Sequence, residues 1–525
     1  MNNIGTYQID DWNLLERFII LGSEKSYYNC NNTKYSNVNS LNSLDRLIDD
    51  CDDDSEIERL IEWIIGISES RRAPKQEFGL FVLSEAAKKN DKIRKIVFSN
   101  ISRFCRTFST LAQFLSFMGK EMSWGRHTKR ELSKWFINQS HRELAYQLTK
   151  YRNRNGYTPK DLLKLIHINP ERISINHRQV LEFIVKNKID DSDIWNDEDY
   201  YDKYYEEYDY YVKRYLENTI TMKETNDINE AIYLIKEYKY QWEHIGKQEL
   251  LKNPFIWETI IDNNIGATAF IRNLSRMIEI GVSIKKIINK LEDVEWLRYS
   301  HIHPIQLLSA YKILENKNKK ENEREYIMNK ILNQLENSLL ETMKYQQKIN
   351  KRIMVALDVS GSMYCTNCIG NNYISAIDAA CTIALTIANT EEEENLHFVA
   401  FSDEIIPINI KKGMNIKDMK NKIEQISYGY TDCSAPFIYA LEHGIDVDCI
   451  IVITDNETNC NKIPPVDALN EYRHITNINT KLVVMAMSSN NISIADPYDS
   501  GMLDISGIDS SAYDVMVNFI NRDNM

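Results

Sequence analysis

Apolar residues recur three and four positions apart from about Tyr7 to Gln347, a spacing that predicts amphipathic helices. IERLIEWIIGI (57–67) is one such segment, and ELSKWFINQ (131–139) is another, with Leu132, Trp135 and Phe136 on one stripe. Short polar breaks separate many of these segments. The texture is that of stacked helix pairs, an α-solenoid or closed helical ring, although no strict repeat period is visible. From about Lys351 the pattern changes. RIMVALDV (352–359), LHFVAF (396–401), CIIVITD (449–455) and KLVVMAM (481–487) are continuous apolar runs of strand length. Helical patterns such as YISAIDAACTIALTIANT (373–390) fill the gaps. Strands buried on both faces and alternating with helices predict a parallel, Rossmann-like α/β sheet, whose strand C-termini form ligand crevices. Two domains follow, a helical one over about 5–348 and an α/β one over about 349–525.

Composition agrees with long helices. The 525 residues include only 17 glycines and 10 prolines, roughly 3% and 2%, against about 7% and 5% in average proteins. At this length the chain can bury a sizeable core and hold more than one domain. The start, MNNIGTYQIDDWN, has no apolar signal-peptide core, and no run of about 18 apolar residues is present to span a membrane. Nine scattered cysteines read as reduced thiols. Cytoplasm, or also nucleus, is the expected compartment, with no membrane partner and a monomeric chain.

Charge changes the picture locally. The net charge is −13, so any nucleic-acid site must be a patch and not a bulk effect. Residues 120–170 hold eleven Lys/Arg and four Asp/Glu, a net of +7. The strongest part comprises Arg126, Lys129 and Arg130, then Lys150, Arg152 and Arg154, with His167 beyond. Clustered cations suit phosphates, and Tyr151 or Tyr157 could stack on bases. Gly156 is expected to end the helix before it. The competing reading is a solvated helix face with Tyr151, Trp135 and Leu162 in the core and His167 a buried histidine. Residues 186–210 carry ten Asp/Glu and three Lys, a net of −7, with six tyrosines, and read as a solvated insert or as an acidic cover over the basic surface.

Asp358-Val-Ser360-Gly-Ser362 directly follows a predicted buried strand. One carboxylate and two hydroxyls at spacing two can converge on a hard cation such as Mg²⁺, which takes oxygen ligands. Thr431 in YGYTDCS and Asp455 at the end of CIIVITD come from later strand ends. The set resembles the metal-ion-dependent adhesion site of von Willebrand factor A domains. Such a site leaves a coordination position for a partner protein's carboxylate. Alternatively, Ser360 and Ser362 only cap the next helix. A phosphoryl-transfer aspartate fits less well, because no second carboxylate lies two residues on and no P-loop exists. Cys365, Cys368, Cys433 and Cys460 lie on predicted loops near this motif and could hold zinc, although unligated thiols are the simpler reading.

Longer strings carry a wider resemblance. RNGYTPKDLLKLIHINP (154–170), IRNLSRM (271–277), IHPIQLLSAY (302–311), GYTDCSAPFIYAL (429–441), ITDNET (453–458) and IADPYDSGMLDISGID (494–509) resemble the Ro/SS-A autoantigen family of TROVE-domain ribonucleoproteins. DWNLLERFIILGSE (11–24) is similar to the family's N-terminal stretch. The resemblance implies a ring of HEAT-like helical repeats followed by a von Willebrand factor A domain. It implies binding of small non-coding Y-like RNA on the ring's outer face and of single-stranded ends of misfolded RNA in its hole. It places RNA contacts on Lys150, Arg154 and His167, and metal ligands on Ser360, Ser362 and Thr431. The chain departs from the family in its acidic tyrosine insert and at Tyr157 and Pro159, where the family carries Trp and His. No catalytic constellation stands out, so a non-enzymatic RNA scaffold is expected. A metal-dependent protein-interaction adaptor without RNA is the alternative, followed by a metal-dependent hydrolase.

Overall fold

The computed structural model describes residues 10–23, 27–30, 41–70, 73, 75–151, 153–189, 208–318, 325–402, 404–426, 431–455, 463–488, 494–496 and 498–522. An α-helical N-terminal part precedes an α/β part with a mostly parallel sheet, as the hydrophobic pattern predicts. The change of texture falls between the helix Glu325–Met343 and strand β2 (Ile353–Asp358). The compact units divide the chain elsewhere. One is continuous, Ser40–Ile265, and the other joins Met1–Asn39 to Gly266–Met525.

In the continuous unit, local chemistry starts the helices. Asp53, Asn90, Thr107, Ser140, Thr158 and Ser174 each accept a first-turn backbone N–H at a helix start. These caps satisfy donors that the helix itself leaves open. The apolar stripes then pack neighbour against neighbour. Phe114 meets Phe98 and Phe104 edge-on, with centroids 5.6 and 5.3 Å apart. Leu132, Trp135 and Phe136 are buried as their spacing predicts.

Among the described residues the second unit is built on a seven-stranded sheet in the order β1 (Tyr27–Asn29), β9 (Met502–Ser506), β8 (Lys481–Ala486), β7 (Cys449–Thr454), β2, β5 (Leu396–Phe401) and β6 (Ile405–Pro407). The four predicted runs are β2, β5 (Leu396–Phe401), β7 (Cys449–Thr454) and β8 (Lys481–Ala486), all parallel. Their neighbours are β9 (Met502–Ser506), parallel to β8, and the short β6 (Ile405–Pro407), antiparallel to β5. The outermost strand is β1 (Tyr27–Asn29), from the N-terminal segment, which pairs in parallel with Asp504–Ser506. The Tyr28 hydroxyl donates to Asp509 at 2.9 Å, and Arg522 meets Glu16 at 2.6 Å. The stretch 373–390, predicted as one helix, begins as strand: β3 (Asn367–Cys368) pairs with β4 (Asn371–Ser375), and the helix runs Ala376–Thr390. Ser375 caps that helix through the Asp378 N–H, which sets its start.

This helix is buried nearly all round, yet it carries Asp378, which is 4% exposed. Lys312 from the helix Pro304–Asn318 lies 3.0 Å from the carboxylate, and Lys420 from the helix Ile416–Ile423 lies 2.9 Å away. Ser375 donates to it at 2.7 Å. Burial alone would push the Asp378 carboxyl up, but Lys312 and Lys420 outweigh it and hold it below the ordinary carboxylate value.

Candidate functional site

The basic segment is assembled from three helices and a tight hairpin. The helix His141–Lys150 ends at Lys150, and Thr158 caps the next, Pro159–Ile166, whose proline at its first position is pre-set for the turn. Between them Arg154 and Tyr157 exchange backbone hydrogen bonds at 3.0 and 2.9 Å. Asn155 and Gly156 sit at the turn with φ of 48° and 83°. Two left-handed residues in succession make the I′ type of hairpin turn, for which Asn-Gly is the favoured pair. Gly156 is therefore a hairpin tip and not the helix terminator expected from the sequence. The helix Arg126–Ile137 packs against Pro159–Ile166 and places Arg126 and Arg130 exposed and Lys129 half-buried.

Lys150 and Arg154 share one aromatic ring. The Lys150 ammonium lies 5.8 Å from the centroid of Tyr151 and the Arg154 guanidinium 5.3 Å from it, within cation–π range. Tyr151 is only half-buried, so it is not the core residue that the alternative reading requires; Trp135 and Leu162 are. His167 is exposed, with φ of 58°, and its N–H closes the helix onto Leu163. That placement excludes the buried structural histidine. Arg152 lies outside the described residues.

A polar layer beneath holds Lys150 in place. Its ammonium donates to the Tyr146 hydroxyl at 3.0 Å and lies 3.8 Å from Glu243. Burial would lower its pKa, but Tyr146 and Glu243 outweigh that and raise it, so the charge is fixed. Tyr146 packs on the buried ring of His244, centroids 5.6 Å apart. His244 Nδ1 accepts from the Gln241 N–H, which leaves Nε2 facing the hydroxyls of Tyr215 at 3.2 Å and Thr149 at 3.4 Å. Tyr146, one helical turn before Lys150, was within reach of the sequence through the i,i+4 rule. Glu243 and His244 come from a distant segment that no local signal connects.

Not every cation of the patch is equally available. Arg130 donates to the buried Glu131 carboxylate at 2.8 Å, and Lys134 approaches it at 2.9 Å. Arg142 donates to Asp209 at 2.6 Å, and His141 lies 2.9 Å from the same oxygen. Asp209 also caps the helix Tyr210–Glu224. The end of the acidic stretch is thereby tied to the helix that carries Lys150. Its residues 190–207 lie outside the described residues.

The second candidate site stands at the C-terminal edge of the sheet, where β7, β2 and β5 are neighbours. Asp358 is fully buried at the end of β2. One of its oxygens accepts the Ser360 N–H at 2.8 Å and the other accepts the Thr454 hydroxyl at 2.6 Å. The Ser360 and Ser362 hydroxyl oxygens are 3.1 Å apart. Asp455 follows β7 and is buried, and Ser488 donates to its backbone carbonyl. Thr431 is buried beside Asp432, whose N–H donates to Ser402 O just past β5. Burial pushes the Asp358 carboxyl up to about 6, with Asp455 adding to the rise against the hydrogen bonds from Thr454 and Ser360. Thr454 is the member missed from sequence, a hydroxyl within an apolar strand.

The donor types suit a small hard cation. All its groups are oxygens. Cis oxygens about Mg²⁺ at ~2.05 Å stand about 2.9 Å apart, close to the hydroxyl pair. Ser360 and Ser362 also begin the helix Gly361–Cys365, but Ser360 makes no side-chain cap there. The thiols do not form an equivalent set. Cys365 is exposed, whereas Cys368 and Cys433 are buried, and burial pushes the Cys368 thiol far up. Cys460 lies outside the described residues. Among the described residues no group of three or more His, Cys, Asp or Glu is arranged to hold a metal. The proposed set differs in drawing three of its five donors, Ser360, Ser362 and Thr431, from hydroxyls.

The chain is similar to known proteins over nearly its whole length. Family models match at residues 2–241 and 236–392 (TROVE domain) and at 352–520 (Ro60 vWA domain). The chain is 28% identical to the RNA-binding protein RO60 of Caenorhabditis elegans, covering 99% of this chain and 89% of that one. It is 26% identical to the RNA-binding protein RO60 of Deinococcus radiodurans, covering 99% and 94%. The crystal structure of the Deinococcus radiodurans RO (RSR) protein superposes with a TM-score of 0.82 at 25% identity, over 98% of this chain and 99% of that one.

Proposed function

The chain belongs to the TROVE-domain family whose members carry a Ro60-type von Willebrand factor A domain, and from that premise we propose that it is an RNA-binding ribonucleoprotein scaffold without catalytic activity. The observation that carries this reading is the Tyr151 ring flanked by Lys150 and Arg154 on a chain of net charge −13. Two cations favour phosphates, and the half-buried Tyr151 ring beside them is an aromatic surface for an unpaired base. Arg126, Lys129, Arg130 and His167 extend the same surface in this proposal, and Arg152 joins them on its sequence position alone. The RNAs are small non-coding Y-like species and single-stranded ends of misfolded RNA. Crosslinking in cells followed by sequencing tests it, with reads expected from small non-coding RNAs. Failure to recover any crosslinked RNA would remove the reading and leave the protein-interaction adaptor.

His167→Asn should lower RNA affinity by about tenfold with an unchanged melting temperature. Asn tolerates the left-handed conformation, and the exposed ring supports no packing. A variant that melts early yet binds normally would assign His167 to stability alone.

The proposal includes a divalent cation, Mg²⁺ by its oxygen donors, held by Asp358, Ser360, Ser362, Thr431 and Asp455. When bound, it supplies an electrophilic position for a partner protein's carboxylate. Mg²⁺ at millimolar concentration should raise the melting temperature of wild type by mass action and leave Asp358→Ala unmoved. Calorimetric titration of RNA-free protein gives the second readout. No saturable binding would reduce Ser360, Ser362 and Thr431 to cap and turn residues.

A further inference from the structure

A second arrangement of arginine and tyrosine lies in the other compact unit. The short helix Val294–Tyr299 is anchored on one side by buried Leu297 and by Trp296, which meets Phe270 edge-on with centroids 5.5 Å apart. It packs against the helix Glu325–Met343. Its outer side presents Arg298 and Tyr299. The Arg298 guanidinium lies 5.9 Å from the Tyr299 ring centroid and 5.7 Å from that of Tyr345, which follows the longer helix. Tyr299 is 70% exposed and Tyr345 39% exposed.

Arg298 is itself exposed and forms no ion pair among the described residues. The Tyr345 hydroxyl donates to Glu341 at 2.6 Å, which fixes the ring, and Lys344 at 2.6 Å offsets that carboxylate. Glu295 is the remaining acid on the same short helix. The following stretch adds Lys348, Lys351 and Arg352, of which Lys348 lies 3.6 Å from Glu392 and Arg352 2.7 Å from Asp448, so Arg298 is the main cation beside the rings. Cations beside exposed, oriented rings are the elements that hold single-stranded nucleic acid: charges follow the backbone and rings take the bases.

We propose that Arg298, Tyr299 and Tyr345 form a stacking platform for unpaired RNA bases, distinct from the Lys150–Tyr151–Arg154 patch. The inference rests on the RNA-binding reading and assigns this surface to single strands, since a base inside a duplex has no face to offer. Duplex RNA is bound through its backbone and 2′-hydroxyls and gains nothing from the rings.

The test is fluorescence anisotropy on the full chain with two probes, a mixed-sequence unstructured 12-nucleotide RNA and a blunt hairpin whose strands are joined by a non-nucleotide linker. Tyr299→Ala with Tyr345→Ala should weaken the single strand roughly five- to a hundredfold per base lost and leave the hairpin unchanged. The salt slope should not move, because stacking releases no counterions. Tyr299→Phe with Tyr345→Phe should keep wild-type affinity. Unchanged single-strand affinity in the alanine variant, while Lys150→Ala with Arg154→Ala loses binding, overturns the platform and leaves the RNA reading standing. The surface would then suit a protein partner. Equal loss for both probes also overturns it. A wild-type protein that binds neither probe overturns the RNA reading and the platform with it.

Discussion

Replacing Lys150 and Arg154 together with alanine should weaken the binding of every RNA tested and flatten its dependence on salt. Each phosphate contact removed lowers the slope of log K against log[salt] by about 0.7 for single strands, so two contacts remove about 1.4. Raising salt from about 50 to about 200 mM should then cost the variant about sevenfold less affinity than it costs wild type. The structure sharpens this expectation. Tyr146 and Glu243 hold Lys150 charged and oriented, and Arg154 stands on a hairpin whose conformation Asn155 and Gly156 fix. Arg154 is exposed, whereas loss of Lys150 leaves Tyr146 and Glu243 without their cation, so a modest fall in stability is expected and affinities are compared at temperatures where both proteins are folded. A double variant that tracks wild type across the whole salt series would make the patch a solvated face.

The largest stability effect should come from Asp378, far from the basic patch in sequence. Asp378→Ala leaves the Lys312 ammonium, whose side chain is 14% exposed, without its main counter-charge. Removing one partner of a buried pair typically costs about 3–5 kcal/mol. Lys420 is more exposed and can turn to water, so the lower half of that range is expected. For a domain of this size the melting temperature should fall by about 10 °C. Asp378→Leu combined with Lys312→Met should recover much of the loss, because apolar groups of similar volume replace a buried pair at little cost. The pH dependence has a definite sign. The carboxyl is held below its unfolded value, so its contribution is complete above about pH 4 and is lost as pH falls through the folded value. Asp378→Ala should therefore be less sensitive to acid than wild type. A loss below about 1 kcal/mol would mean that the three charges are effectively solvated.

Legibility in the sequence followed burial. Strands β2, β5, β7 and β8 are apolar on both faces and stand out as runs. β1 is three residues long, β6 is a short edge, and β9 carries Asp504 in its centre, so none of them forms such a run. The helix predicted from Tyr373 starts later because the β3–β4 hairpin claims its first residues, a pairing that periodicity does not encode. At the second candidate site, the placement of Asp358, Ser360, Ser362 and Asp455 at the ends of β2 and β7 was legible because each follows a continuous apolar run. Thr454 was hidden among apolar neighbours. His244, which packs on Tyr146 beneath Lys150, stands 95 residues from Thr149 and left no local trace. Asp378 could have been inferred: a carboxylate on a helix that is apolar all round must find a cation.

The edge strand β1 sets an order of events during synthesis. Tyr28 leaves the ribosome early, but its partners Ile505 and Asp509 come last, 481 residues later in the case of Asp509. At about 5–20 residues per second the wait is on the order of half a minute to a minute and a half. During that interval Ser40–Ile265, a continuous stretch, is completed and free to fold, while the unit that flanks it in the chain has only β1 of its seven-stranded sheet until residue 353 is reached. Strand β1 is thus made long before the strand it pairs with, and a nascent chain stalled before residue 504 carries it unpaired with β9.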